Sequence, residues 1–339
     1  MNKMIGRQTV RPEVPPSVVS FASVVGQKEG EGPIGHCFDK ICLDAYFGES
    51  SWEKAESSML KECFELCCDK LGIPPRELDM IFSGDLLNQC VSSALALKNT
   101  GVRHFGLYGA CSTSAEGLIL ASSLIGGGEL CRCCVSVSSH NSTAERQFRF
   151  PLEYGGQRTP TAQWTVTGSG AFVLRAAAAG DTALPRIVGV QAGVTVDRGI
   201  TDSANMGAAM APAAILTLSR CFRQTGTAPA DYDLILTGDL GKTGHAVVTE
   251  LMLRNGYDMQ KNYDDCGKLI FDAEKQDVHA GGSGCGCSAA VLTGYLLPEM
   301  QKKTYKNVLF AATGALMSPI VNQQNESIPG IAHLVNIKI

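Results

Sequence analysis

Cys111 is the residue whose setting in this chain points most directly to chemistry. It lies in FGLYGACSTSAE (Phe105 to Glu116), where an apolar segment from His104 to Tyr108 reaches Gly109-Ala110 and turns. Thr113 and Glu116 have the S/T-x-x-E spacing of a capping box, which predicts that a helix begins there. Gly109, Ala110 and Ser112 are small enough for a tight turn and for a ligand to come close to the backbone. A thiol beside the N–H groups of a helix start has a lowered pKa and is primed as a nucleophile or as part of an anion site. The competing expectation is a buried structural cysteine, because the chain carries 14 cysteines in all.

The other cysteines give no framework of their own. Cys63, Cys67 and Cys68 fall in a helical pattern, and Cys131, Cys133 and Cys134 in a strand-like run whose neighbours point to opposite faces. Cys285 and Cys287 form a C-x-C with no matching pair at zinc spacing. Scattered thiols in a reducing interior act as small hydrophobes, so neither a metal site nor disulfides are expected.

The elements that would carry Cys111 follow from patterning. Ser17 to Gly26 reads as a strand rich in β-branched residues, and Gly30 to Gly48 as a surface excursion. Ser50 and Glu53 offer a second capping box. The helix after it bears Ala55, Met59, Cys63, Leu66 and Cys67 on one stripe and stops at Gly72, with Pro74 beyond. Leu78 to Ser83 is a short strand, Gln89 to Lys98 a helix and Cys131 to Ser138 a strand. A long polar loop is expected from Ser139 to Trp164, then a strand from Thr165 to Arg175 and a join over Ala176 to Leu184.

The second half repeats the first. LGIPPRELDMIFSGDL (Leu71 to Leu86) aligns without a gap on TGTAPADYDLILTGDL (Thr225 to Leu240), with seven identities in sixteen positions. Ordinary composition would give roughly one. A weaker echo sets Cys111, Ser114 and Ala115 against Cys285, Ser288 and Ala289. Two copies of a βαβ-type unit predict a duplicated α/β protein with helices on both faces of its sheets. The expected halves are residues 1–180, with an N-terminal arm and the 139–164 loop, and residues 181–339. Packed about a pseudo-dyad, they would bring Cys111, Asp239 and the Gly281-to-Cys287 turn together.

Composition narrows the function classes. A net charge of −4 provides no footprint for nucleic acid. No apolar run approaches a membrane span. The opening MNKMIGRQTVRPEVPP lacks the apolar core of a signal peptide, so the chain is expected to stay inside the cell, with only peripheral membrane contact.

A duplicated α/β chain with a cysteine at its first strand–helix turn resembles the thiolase-like fold of condensing enzymes, layered α-β-α-β-α. It more closely resembles the stage V sporulation protein AD family of spore-forming Firmicutes. The segments that carry this are GPIGHCFDK (Gly32 to Lys40), SWEKAES (Ser51 to Ser57), GACSTSAEGL (Gly109 to Leu118) and RFPLEYGGQRTPTAQWTVTGSG (Arg149 to Gly170). TGDLG (Thr237 to Gly241), DCG (Asp265 to Gly267), HAGGSGCGCSA (His279 to Ala289) and ATGALMSP…QQNESIPGIAH (Ala312 to His333) continue it in one order along the chain. The resemblance implies binding of dipicolinic acid, pyridine-2,6-dicarboxylate, and its uptake into the developing spore. It also implies work beside the other SpoVA membrane proteins, peripheral at the spore inner membrane. Related condensing enzymes pair as homodimers through a central strand, so a homodimer is expected by analogy.

Condensing enzymes of the β-ketoacyl-acyl-carrier-protein synthase III type use a Cys-His-Asn set. On that pattern the histidine falls at Gly238 or Asp239 and the asparagine at Ser283. A carboxylate at Asp239 would repel a thiolate and cannot donate to a developing oxyanion. Cys111 is kept, together with backbone donors expected from Cys111 and the Gly314 loop. The implication is a cradle for an anion, without catalysis. His140, at the end of the strand after the cysteine helix, is a candidate ligand contact, while His245 and His279 suit surface or capping roles. A planar dicarboxylate calls for arginine, and Arg146, Arg149 and Arg158 stand in the 139–164 loop, with Lys242 after the Gly-Asp-Leu turn. Trp164 could stack on the ring or fill the core. The expected ligand set is thus Cys111, His140, Arg146, Arg149, Arg158, Asp239, Ser283 and Gly314. No cofactor is expected, save calcium accompanying dipicolinate as a chelate that would suit Asp239. The alternative functions are a cysteine-dependent acyltransferase acting through Cys111 and a scaffold with a vestigial pocket.

Overall fold

The computed structural model describes residues 2–148 in full, the backbone of Arg149, and residues 158–339. Its frame is two sets of five strands with one topology. The first set is β1 (Pro16–Gly26), β2 (Met80–Gly84), β3 (His104–Leu107), β4 (Arg132–Ser139) and β5 (Gly168–Ala176). The second is β6 (Arg186–Gln191), β7 (Leu234–Thr237), β8 (Tyr263–Asp265), β9 (Asn307–Ala315) and β10 (Gly330–Lys338). Their spatial orders are β3-β2-β4-β5-β1 and β8-β7-β9-β10-β6, each strand matching the one five places later in the chain. In both sets the first three of these strands run parallel and the last two pairings are antiparallel. The sets meet edge to edge where Arg186 stands opposite Ser17. The duplication read from the sequence is therefore a duplication of fold.

Helices cover both faces of each set. They are α1 (Trp52–Leu71), α2 (Val91–Leu97), α3 (Thr113–Gly127), α4 (Asn141–Arg149), α5 (Met206–Thr225), α6 (Gly241–Arg254) and α7 (Cys285–Val291). Three cores result. The outer ones lie under α1 in the first half and under α5 and α6 in the second. The central core packs α3 and α7 between the two sets of strands, giving the expected five layers. Ser114 of α3 and Ser288 of α7, partners in the sequence echo, share a 2.8 Å hydroxyl hydrogen bond, which marks the pseudo-dyad.

Local signals explain most element ends. Ala55, Met59, Cys63 and Cys67 are buried on α1 as the stripe requires, and Leu66 is half-buried beside them. Gly72 ends the helix in the left-handed region at φ 72°, where its N–H returns to Asp69 O. The N-cap is Ser51, one residue later than the Ser50 box predicts: its hydroxyl accepts from Lys54 N. Cys133 faces the central core and Cys134 the outer one, so neighbouring thiols fill different layers. The 139–164 segment is not a continuous loop, because α4 occupies its first third. Nor is 165–175 one strand. Trp164–Thr165 pairs in parallel with Gly282–Ser283, and β5 begins at Gly168.

Close approach of layers sets one stringent requirement. A Cβ on Gly170 of β5 would stand 2.4 Å from the Ala289 carbonyl oxygen of α7, with backbone on both sides of the clash. Gly170→Ala is expected to cost about 1–3 kcal/mol by overpacking, read as a lower midpoint in a urea melt. An unchanged midpoint would contradict the packing of α7 on β5.

Candidate functional site

The site forms where the α3 start meets three turns from the other half. Ala110 takes φ 51°, a left-handed conformation costly for a residue with a side chain, and so delivers Cys111 into the first turn of a helix. The turn is wrapped by hydroxyls. Ser112 Oγ donates to Gly109 O at 2.6 Å, Thr113 Oγ1 donates to Ala110 O at 2.7 Å, and Gly109 N donates to Thr113 Oγ1 at 3.2 Å. The expected capping box is therefore absent. Thr113 bonds backwards to the turn, and the half-buried Glu116 leaves one carboxyl oxygen without a hydrogen bond.

Asp239 faces the thiol. It follows β7 through Gly238, where a Cβ would meet Thr313 N at 2.8 Å. Its Oδ2 accepts from Gly284 N at 2.9 Å and its Oδ1 from the Thr313 hydroxyl at 2.8 Å, with the Cys111 thiol alongside as a further partner. Burial pushes the Asp239 carboxyl up to about 6. The same burial, joined by the charge of Asp239, raises the Cys111 thiol well above its ordinary value. The expected activation by the helix start is thus overturned: desolvation and a facing carboxylate outweigh the N–H groups, and the sulfur keeps its proton.

A second layer fixes this pair. Gln163, buried, donates through Nε2 to Asp239 O at 2.7 Å and to Gly282 O at 2.8 Å, tying the β7 turn to the 281–287 turn. Asp265 accepts from Leu240 N and Gly241 N, both at 2.9 Å, and from the Thr237 hydroxyl at 2.7 Å, and burial pushes it up to about 7. Gly314 packs behind the cysteine turn, where an added Cβ would come within 2.9 Å of Gly109 O. The cleft above Cys111 has a volume of about 270 Å³, and Tyr108, Phe148, Thr165, Met206, Ser283 and Met317 are among the residues lining it.

The structure brings Cys111, Asp239 and Ser283 together, with Gly314 just behind. It places the other expected residues elsewhere. His140 is buried outside the cleft, its Nε2 on Ala45 O at 2.9 Å and its Nδ1 accepting from Ser142 N at 3.1 Å. Burial lowers its pKa, so it stays neutral. Arg146 pairs with Glu53 on the surface. Arg158 pairs with Asp277 at 2.9 Å and lies 4.9 Å from the Trp164 ring, which takes Lys28 Nζ at 3.8 Å. Trp164 therefore carries cations, away from the cleft. Arg149 ends α4, and its side chain lies outside the described residues. Lys242 is exposed. His245 stacks on Tyr263, and His279 pairs with Asp277 at 2.9 Å. Among the described residues, no histidine, lysine or arginine lines the cleft. Gln163, Thr313, Phe148 and Met206 were not singled out by spacing, because their places arise only where segments distant in the chain meet.

Two outcomes follow. Asp239→Asn removes the charge facing the sulfur, so site-mapped iodoacetamide labelling of Cys111 near pH 8 should speed up by about tenfold, one pKa unit; an unchanged rate would separate the two groups. Asp239, Asp265, Glu29 and Glu56 have folded values of about 6, 7, 7 and 8, all above their unfolded values near 4. Their contribution to stability is complete below pH 4 and is lost as pH rises through 6 to 8. The thermal midpoint should therefore fall between pH 6 and pH 8.5, and a flat or rising midpoint would contradict these buried acids.

Comparison with known proteins places this geometry. A family model described as stage V sporulation protein AD matches residues 6–338. Stage V sporulation protein AD of Bacillus subtilis (strain 168) is 42% identical over 331 residues, 98% of this chain and 96% of that protein. Among solved structures, 3-oxoacyl-[acyl-carrier-protein] synthase III from Aquifex aeolicus VF5 superposes with a TM-score of 0.56 at 13% identity, over 96% of this chain and 100% of that one. OleA of Xanthomonas campestris with bound lauric acid and lauroyl-CoA gives 0.62 at 13% identity, over 96% and 99%. At such identity the likeness is one of fold, and that fold is the thiolase-like one.

Proposed function

The chain belongs to the stage V sporulation protein AD family, and from that premise we propose that it binds dipicolinic acid without transforming it and supports its uptake into the developing spore. The observation that carries the non-catalytic reading is the Cys111–Asp239 pair. An imidazole beside a thiol can take its proton and leave an ion pair, whereas a carboxylate there would leave two adjacent anions. With the thiol held protonated, acyl transfer lacks its nucleophile.

The cleft suits a small aromatic acid. Its 270 Å³ lies just below the range of roughly 300–1,000 Å³ usual for ligand pockets, room for a single ring and not for a long acyl chain. Phe148 and Tyr108 offer ring faces, and the helix start at Ala110 and Cys111 offers N–H groups to a carboxylate. With Asp239 buried behind Cys111 and Gly284 and no cation among the described lining residues, the bound form has its charge offset by a proton or by chelated calcium. Association with the spore inner membrane runs through the other SpoVA membrane proteins; no described helix is long and apolar enough to cross a membrane. A second copy pairs along β3, which ends its set as an edge with Phe105 and Tyr108 exposed.

Calorimetry with dipicolinate, with its calcium chelate and with benzoate as control tests this reading. The chelate is expected to bind at least tenfold more tightly than the bare dianion at pH 7.5, and Asp239→Asn to narrow the gap. Equal, negligible heats for all three ligands would overturn it. The strained turn that presents Cys111 favours one other reading, an acyltransferase. Its signature would be a mass adduct from acyl-CoA that Cys111→Ala abolishes, and no adduct is expected.

A further inference from the structure

One rim of the cleft carries a turn under backbone strain. Gln89 and Cys90, just before α2, take φ 60° and 52°, left-handed conformations in succession at residues with side chains. Such strain persists only where the surroundings over-determine the backbone, and it gathers at ligand clamps. Here side chains from several directions pin the turn. Asp85 Oδ1 accepts from Leu87 N at 2.9 Å, and its Oδ2 accepts from Ser93 N at 2.8 Å, in the first turn of α2. The Cys90 thiol donates to Leu107 O at 3.0 Å, and the Tyr108 hydroxyl donates to Leu86 O at 3.3 Å.

Gln147 reaches the same turn from α4. Its Nε2 donates to Leu86 O at 2.7 Å and its Oε1 accepts from Asn88 N at 2.9 Å. The amide can stand only one way round, because the Leu86 carbonyl can only accept and the Asn88 N–H can only donate. Other contacts hold the start of α4: Asn141 N donates to Thr167 Oγ1 at 3.0 Å and Thr143 Oγ1 to Glu56 Oε2 at 2.7 Å. Toward its end, Arg146 pairs with Glu53 on the surface, where water screens an ion pair to little worth. Gln147 therefore joins the Phe148 end of the helix to the opposite wall.

This contact stands between two hollows. Leu86, Tyr108 and Phe148 face the cleft of about 270 Å³. Leu87, Asn88, Val91, Thr143 and Gln147 line a second hollow of about 390 Å³. A close-packed interior does not yield, whereas a helix end beside a hollow has somewhere to go. We propose that Gln147 is the specificity-determining residue of the cleft: its clasp on the Leu86 turn fixes the separation of the Leu86 and Phe148 walls, so that a single aromatic ring enters and fused rings are turned away. Without the clasp, the end of α4 and the strained turn relax into the second hollow and the slot widens. The width holds whatever the ligand, while selection of one pyridine ring rests on the dipicolinate reading.

Alkylation of Cys111, which lines the cleft, reads the width without dipicolinate. Site-mapped rates with iodoacetamide and with N-(1-naphthyl)iodoacetamide are measured on the full chain, each corrected for its rate with glutathione. Both reagents attack the same sulfur, so their ratio reports access and not ionisation. Gln147→Met keeps the length and bulk of the side chain and removes both hydrogen bonds. The naphthyl-to-iodoacetamide ratio is expected to rise roughly tenfold in it, the scale of one lost hydrogen bond; a role in bulk alone would leave the wild-type ratio. Gln147→Glu sets a carboxylate against Leu86 O, should act in the same direction, and serves if the first variant does not fold. An unchanged ratio, or resistance to the naphthyl reagent in both variants, would overturn the clasp. Calorimetry with dipicolinate on the same proteins separates the two readings: negligible heat in the wild type beside a raised ratio in the variants would remove dipicolinate and keep the clasp.

Discussion

A thiol and a carboxylate buried against each other, with no cation between them among the described residues, set the character of this molecule. The carboxylate is held by an N–H from the 281–287 turn and a hydroxyl from β9, so its place is fixed by two segments distant from its own in the chain. Burial raises both groups, and the charge of the acid raises the thiol further. A condensing-enzyme fold therefore presents its cysteine in the strained turn and keeps the proton on the sulfur. The cleft above is lined by the rings of Tyr108 and Phe148, the apolar Leu86, Met206 and Met317, and the small polar Thr165 and Ser283.

Duplication explains why so many acids are buried near the centre. Each half contributes one cysteine-bearing helix to the middle layer and one Gly-Asp-Leu turn beside it, and the turn of the second half faces the cysteine of the first. Ser114 and Ser288 meet where the halves cross. One crossing holds an open cleft; near the other, buried Glu56 accepts from the hydroxyls of Ser138 and Thr143. The arrangement costs stability as pH rises, since among the described residues none of these carboxylates pairs with a lysine or arginine.

The sequence made the fold legible because its strongest signals are repeated. The sixteen-residue match fixed equivalent strands and turns, and the stripe on α1 with its glycine stop fixed a helix from local chemistry. The core of the site was legible too, since Cys111, Asp239 and Ser283 sit in turns with strong motifs. The cationic residues misled. Arg146 and Arg158 are drawn to Glu53 and Asp277, acids far away in the chain whose proximity no spacing reveals. His140 is drawn to a carbonyl of the 30–48 excursion. Gln163 and Thr313 escaped notice for the converse reason: their roles arise only when three turns meet. The lowered thiol pKa expected at a helix start failed because burial depends on the whole fold and not on the helix.

A structure of the protein crystallised with calcium dipicolinate measures the central claim most directly. The account predicts the ring seated in the cleft beside Cys111, with the sulfur unmodified and Asp239 within reach of the ligand's proton or metal. A ligand bound elsewhere with the cleft empty, or a covalent bond to the Cys111 sulfur, would contradict it.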